Sequence, residues 1–253
     1  MRILAIVSQK GGVGKTSLVQ NLSAELARAG RRVLMVDFDP QANLTTGWGL
    51  DPGAERPTVY QAMLAPAETR QAILQVRPNL DLLPASLDLA GAEKAFGDAV
   101  DRNNKLKKVL RGLQGAYQLV LIDGPPSLGF FTINALVAAT DALLPLQTEV
   151  YAYKMIDPVL AIIEEVREVN EGLRLFGIAL TMYDTRNSLT ETVERLARQR
   201  FGERVFRAVI PKNVRIAEAP ADGVPVGEYQ PGAKGAQAYR TLAAEVLERV
   251  EAQ

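Results

Sequence analysis

The chain has 253 residues, with 29 Lys+Arg balanced by 29 Asp+Glu and with neither cysteine nor histidine. Its length suffices for one large α/β core, and the charge balance leaves no global basic field, so any nucleic-acid contact rests on a local patch or on its doubling in a dimer. The two missing residue types exclude disulfides, thiolate or iron–sulfur ligation, and imidazole as a base or metal ligand.

The first element is an apolar run, Ile3–Val7, read as a strand. It leads into Gln9-Lys10-Gly11-Gly12-Val13-Gly14-Lys15-Thr16-Ser17 and then a helical pattern from Ser17 to Arg28. Strand, glycine loop and helix in that order form the context of a phosphate-binding loop. Gly11, Gly12 and Gly14 let backbone N–H groups, that of Val13 among them, crowd around phosphates, and the helix N-terminus adds its positive dipole end. Lys15 is placed to reach β- and γ-phosphates, and the Thr16 hydroxyl to ligate Mg²⁺. The generic motif has glycine where this chain has Gln9, and Lys10 adds a second cation. That cation lies near the γ-phosphate or reaches a neighbouring subunit's nucleotide.

A second strand, Val33–Val36, ends in Asp37-Phe38-Asp39-Pro40-Gln41. Carboxylates at that end can face the phosphates, and Asp39 is suited to orient an attacking water or to hold it through the Mg²⁺ shell. Asp51 to Pro57 is rich in glycine and proline and reads as a surface excursion. A strand at Leu80–Leu83 follows. The basic run Arg102 to Arg111 reads as the exposed face of a helix rather than as a binding patch. The next strand, Leu119–Ile122, ends in Asp123-Gly124-Pro125-Pro126. An apolar strand ending in aspartate is the Walker B arrangement, with Asp123 holding Mg²⁺ directly or through a water. The strand Ala142–Leu146 delivers Gln147-Thr148-Glu149 to the same edge, where nucleotide or subunit contacts form.

The remaining strands are Leu175–Thr181 and Val205–Val209, with helical patterns at Val159–Val169, Thr190–Arg200 and Ala236–Glu251. Strands spaced by helices imply βαβ units. The expected fold is α/β: a single-domain P-loop NTPase over residues 1–253, with a mostly parallel twisted sheet flanked by helices on both faces and ligands at the carboxyl ends of its strands. The N-terminal run is far too short to span a membrane, no signal peptide is read, and Leu247–Gln253 is not basic. A cytoplasmic chain without a membrane anchor is the expectation.

These motifs, in this order, resemble the ParA branch of the ParA/MinD deviant Walker ATPases over nearly the whole length. The resemblance continues in Thr181-Met182-Tyr183-Asp184 and in Ile210-Pro211-Lys212-Asn213-Val214-Arg215-Ile216-Ala217-Glu218-Ala219-Pro220. It implies ATP and Mg²⁺ as cofactors and an ATP-dependent homodimer with two nucleotides at its interface. Lys10 matches the signature lysine that contacts the partner's nucleotide, Lys15 and Thr16 the loop lysine and metal ligand, Asp39 the acidic residue needed for hydrolysis, and Asp123 the Walker B position. Met182, Pro211 and Asn213 match the adenine-side walls. The resemblance further implies non-specific binding of the ATP-bound dimer to double-stranded DNA. Arg186 and Arg215 match positions linked to that binding, and Lys212, Lys234 and Arg240 are further basic residues of the same third of the chain. It also implies a ParB-type centromere-binding partner that stimulates weak hydrolysis, nucleoid association, and a role in chromosome or plasmid partition.

Two departures from the family pattern stand out. Gly124 replaces a common cysteine, which is tolerable because that thiol does no chemistry. Glu149-Val150-Tyr151-Ala152-Tyr153-Lys154-Met155 replaces Glu-Tyr-Tyr-Ala-Leu-Glu-Gly, so Lys154 inverts a local charge and bears on dimer or partner contacts. Competing readings are a related ATPase positioning a protein cargo over the nucleoid, a MinD-like membrane-surface regulator, and a metabolic P-loop ligase or synthetase. Electron transfer of the nitrogenase-reductase kind fails for want of cysteine ligands.

Overall fold

The computed structural model describes residues 1–149 and 156–252; Lys154 and its neighbours from Val150 to Met155 lie outside the described residues. The strands are β1 (Arg2–Ile6), β2 (Val33–Asp37), β3 (Leu74–Arg77), β4 (Leu80–Leu83), β5 (Leu119–Asp123), β6 (Asp141–Gln147), β7 (Arg174–Tyr183) and β8 (Val205–Pro211). They form one eight-stranded sheet in the order β3-β4-β2-β5-β1-β6-β7-β8. Every pairing is parallel except β3 with β4.

The central strands are apolar on both faces because helices cover both. All residues of β2 and of β5 are buried, as a doubly covered parallel sheet requires. On one face, Leu4, Ile6, Met35 and Leu121 pack against Leu18, Leu22 and Leu26 of α1 (Lys15–Arg28) and Leu242 and Val246 of α11 (Lys234–Glu251). The four-residue spacing in each helix stacks those side chains on a single stripe. Leu22 is fully buried, so its truncation to alanine costs about 2–5 kcal/mol. Two short helices, α2 (Asn43–Gly47) and α10 (Val226–Tyr229), add Leu44 and Val226 to this layer.

The opposite face carries Ala5, Val36, Val120 and Ile122. It is covered by α3 (Val59–Leu64), α4 (Ala92–Ala95), α5 (Lys105–Arg111), α6 (Phe130–Ala138), α7 (Ile156–Arg167) and α8 (Ser188–Phe201). Helix α5 presents Lys107, Lys108 and Arg111 to solvent, and Asp101 pairs with Lys105 and Lys108, so this run is a solvated helix face. The remaining helix, α9 (Val214–Glu218), follows β8.

The sequence-based strands all form, and one more appears. β3 is a four-residue edge strand paired antiparallel with β4 through Pro78 and Asn79, the latter in the left-handed region at φ 62°. Placement of the site follows from strand order. β5 lies between β1 and β2, so Asp123 is in register with Ile6 on one side and Asp37 on the other. The chain builds outward from β1 in both directions, and the crevice at that reversal opens at the carboxyl ends of the strands.

Candidate functional site

The loop from Ser8 to Gly14 joins β1 to α1. Gly12 (φ 74°) and Gly14 (φ 89°) both adopt left-handed backbone, which glycine takes without the steric cost of a Cβ. Gly14 stands immediately before α1, and no side chain caps the helix there. The first N–H groups of α1 therefore remain available to an anion. The loop is anchored by the Thr181 hydroxyl of β7, which donates to the Val13 carbonyl at 2.9 Å. Gly11 and Gly12 are exposed, Thr16 and Ser17 half-buried, and Lys15, the first residue of α1, is only 7% exposed.

Two carboxylates, Asp123 and Asp39, act on Lys15, and a third, Asp37, stands beside Asp123. Asp123 is 1% exposed, and its oxygens make no hydrogen bond of ordinary geometry among the described residues, the Thr16 hydroxyl being a neighbouring donor. Its carboxyl is pushed well above the ordinary range, first by burial and then by the Asp37 charge, with the Thr16 hydroxyl and Lys15 ammonium pulling the other way. Asp37, fully buried, accepts from the Thr45 N–H (2.8 Å) and hydroxyl (2.6 Å) and from the Asp39 N–H (3.3 Å). Burial raises it to about 6 against those hydrogen bonds. Asp39, 7% exposed, receives the Gln41 N–H at 2.9 Å, which shapes the turn after β2. Burial lowers the Lys15 ammonium, while Asp123 and Asp39 raise it.

An orphaned buried carboxylate is rare in folded proteins and marks a missing partner. A divalent cation fits this site, because it supplies the positive charge that one lysine among three carboxylates lacks. Among the described residues no group of three His, Cys, Asp or Glu closes on a common point. A cation beside Asp123 would therefore draw on the Thr16 hydroxyl, water and ligand oxygens, a donor set that suits Mg²⁺.

Lys10 lies across the loop from this cluster. Its Nζ donates to Glu149 Oε2 (2.6 Å) and Gln147 Oε1 (3.0 Å), both just past the core of β6. Met182, Pro211 and Asn213 gather at the neighbouring ends of β7 and β8. Met182 is in the left-handed region at φ 51° and 36% exposed, a conformation that a bulky residue holds only under constraint. Asn213 caps α9 by accepting from the Arg215 N–H at 2.9 Å.

The candidate DNA-contacting residues share that edge. Lys212, Arg215, Lys234 and Arg186 are all exposed. Arg186 pairs with Asp184 (2.9 Å) and Arg215 with Glu218 (2.7 Å). Gly235 lets α11 approach α9 closely: a Cβ there would lie 2.7 Å from Ile216 Cγ1. That approach brings Lys234 to the Lys212–Arg215 segment. Sequence reasoning did not select Asp37, Thr181 or the Lys10–Glu149 pairing. For Asp37 the signal was present, since a carboxylate ending an otherwise apolar buried strand needs a dedicated partner.

A glycine loop running into a helix, a buried lysine at its start and an unpartnered aspartate on the adjacent strand define a P-loop nucleotide-binding protein. Residues 1–175 match the family described as AAA domain. The chromosome partitioning protein ParA of Caulobacter vibrioides is 44% identical over 253 residues, spanning 98% of this chain and 95% of its own. The chromosome-partitioning ATPase Soj of Thermus thermophilus is 46% identical over 252 residues, spanning 99% and 97%. The chain belongs to this ParA/Soj family of chromosome-partitioning ATPases. Among solved structures, cobyrinic acid a,c-diamide synthase from Mycobacterium smegmatis with bound ATP analogue and magnesium superposes with a TM-score of 0.88 at 37% identity, covering 98% of this chain and 94% of that one.

Proposed function

We propose that residues 1–253 act as one ATPase domain that binds ATP with Mg²⁺ and uses hydrolysis to switch a DNA-bound homodimer off DNA during chromosome or plasmid partition. The observation that carries the nucleotide half of this reading is the orphaned Asp123 carboxylate beside Lys15 and Thr16. The backbone N–H groups of Gly11 to Gly14 and the start of α1 at Thr16 and Ser17 cradle the phosphates. Lys15 neutralises the β- and γ-phosphates, and its burial strengthens that attraction. Thr16 and Asp123 hold the metal. When bound, Mg²⁺ neutralises the charge that develops on the phosphate oxygens during transfer. Asp39 orients the attacking water, its carboxylate fixed by the turn to Gln41. Met182, Pro211 and Asn213 wall the base.

In the dimer, Lys10 leaves Glu149 and Gln147 for the partner's phosphates. Arg186, Lys212, Arg215 and Lys234 then double on one surface, giving an avidity for DNA phosphates that one chain lacks. A ParB-type protein accelerates a weak basal turnover and releases the dimer, so the protein is cytoplasmic and nucleoid-associated. No helix among the described residues is long and apolar enough to cross a membrane.

The test is binding to a random-sequence duplex with ADP, with ATP, and with Asp39→Ala plus ATP, across a salt series. Binding that needs ATP, weakens steeply with salt and persists in Asp39→Ala supports the reading. No binding in any nucleotide state removes its DNA half. The likeness to the diamide synthase favours a second reading, a metabolic P-loop enzyme. Stimulation of ATP turnover by cobyrinic acid and not by DNA with a ParB-type protein would select it.

A further inference from the structure

At the pole opposite the nucleotide site, where β6, β7 and β8 begin, the surface opens into a cleft of about 890 Å³. Its floor is Leu175, Phe176 and Val205, and six arginines line it. Three of these are committed to the fold. Arg249 lies over the Phe206 ring at 3.9 Å and pairs with Glu245 (2.9 Å). Arg198 bonds Glu194 and the Phe206 carbonyl, and Arg167 bonds Glu164 and the Leu173 carbonyl. The other three, Arg174, Arg204 and Arg207, are exposed.

The buried acids of the cleft are already neutralised from within. Asp141 is 1% exposed and held by Arg2 at 2.9 Å and by the Thr140 hydroxyl at 2.7 Å, so Arg174 reaches it only at 3.3 Å. Glu245 is 6% exposed and accepts the N–H groups of Arg207 and Ala208 as well as Arg249. Arg204 has no carboxylate partner among the described residues, and Arg207 is tied at the rim to Glu248. Ile178 is in register with Val205, which sets Arg204 beside Gly177. Arg174 begins three residues earlier on β7, an offset of about 10 Å at strand rise. Guanidiniums in excess over an apolar floor, partly screened from water, suit a phosphate, whose oxygens the planar fork meets in pairs. The volume is that of a small-molecule site. Glu203 and Glu248 on the rim oppose a long polyanion running out of it.

We propose that this cleft is a second anion site, separate from the nucleotide loop, that takes a compact phosphate ligand of two or more negative charges on Arg174, Arg204 and Arg207. The inference does not depend on the function proposed above. Its test is a calorimetric titration of tripolyphosphate into protein saturated with ADP and Mg²⁺. Repeating it on Lys15→Ala without nucleotide keeps the phosphate loop out of the result even where ADP fails to fill it. The expected result is one ion per chain, bound more weakly as salt rises. Arg174→Gln with Arg204→Gln should weaken it about ten-fold or more, as loss of charge-assisted hydrogen bonds implies, with ATP turnover and Tm unchanged. Arg207→Gln alone should weaken it less. Absence of this ion, or an affinity indifferent to the double variant, overturns the proposal. Displacement of tripolyphosphate by a random-sequence duplex at equal phosphate concentration overturns the compact ligand in favour of a DNA contact.

Discussion

Two buried aspartates stand at opposite ends of the same sheet, and they differ in what surrounds them. Asp141 opens β6 at the lower edge, where Arg2 and the Thr140 hydroxyl satisfy its oxygens. Asp123 closes β5 at the upper edge, equally buried, with both oxygens unpartnered. Burial alone therefore does not mark a functional carboxylate in this protein. The unmet hydrogen-bonding capacity is what sets Asp123 apart, because a buried carboxylate without a partner has room for one that a ligand would supply.

That contrast can be broken by substitution at either end. The largest loss is expected for Asp141→Ala, which takes the buried carboxylate away from Arg2, 15% exposed, and leaves a cavity at the start of β6. Unfolding free energy should drop by about 3–5 kcal/mol, read by denaturant titration, with little change in nucleotide affinity in the fraction that stays folded. For Asp123→Asn the pattern inverts. Metal-free stability should change little, since burial already favours the neutral form of this carboxyl, while Mg²⁺-dependent ATP turnover should fall about 10²–10³-fold. Equal loss of stability in both variants would erase the distinction.

Asp37 sharpens the comparison through pH. Its carboxyl is raised from 3.8 to about 6 in the folded chain, so the folded state keeps a proton that the unfolded chain has lost. The stability it contributes is complete below about pH 4 and is lost as pH rises through 6. In Mg²⁺-free protein the difference between wild type and Asp37→Asn should therefore change by about 3 kcal/mol across that window, measured as the gap between their unfolding midpoints. A gap independent of pH would mean that Asp37 is ionised throughout. The smallest effect belongs to Glu149→Gln. The Lys10–Glu149 pair is substantially solvated, with side chains 34% and 54% exposed, so its loss should move stability by no more than about 1 kcal/mol. Freed from Glu149, Lys10 should favour the proposed ATP-dependent dimer a few-fold in sedimentation. A weaker dimer would mean that Glu149 serves the interface itself.

The upper edge was legible in the sequence because its chemistry is local. The loop glycines, Lys15 and Thr16 are contiguous, and Asp39 and Asp123 each follow an apolar run that announces a buried strand. β3 was missed because Leu74-Gln-Val-Arg77 is short and exposed on one side, so it lacks the continuous apolar signature of the inner strands. The Pro78-Asn79 turn before Leu80 was the available clue. The arginine cleft was illegible for a different reason. Arg174, Arg204 and Arg207 are separated in sequence and acquire a common direction only when β7 and β8 pair. No spacing rule predicts which of them the fold spends on Asp141, Glu245 or Glu248. Likewise Lys10 and Glu149 are far apart in the chain, and only the adjacency of β1 and β6 makes them neighbours.

The insertion of β5 between β1 and β2 also bears on how this protein is born. The first two strands to leave the ribosome never pair with each other; β2 finds β4 on one side, but β1 has no partner, and β2 none on its other side, before a strand that begins at Leu119. Until then β1 and β2 offer unpaired apolar edges, and the ring of groups around Lys15 has no Asp123 to complete it. Such long-range pairings make folding slow and expose nascent chain to aggregation. Chains stalled before Leu119 should thus be protease-sensitive and unable to retain nucleotide. Chains extended through β6 have both neighbours of β1 in hand, and protection of the N-terminal segment should begin there.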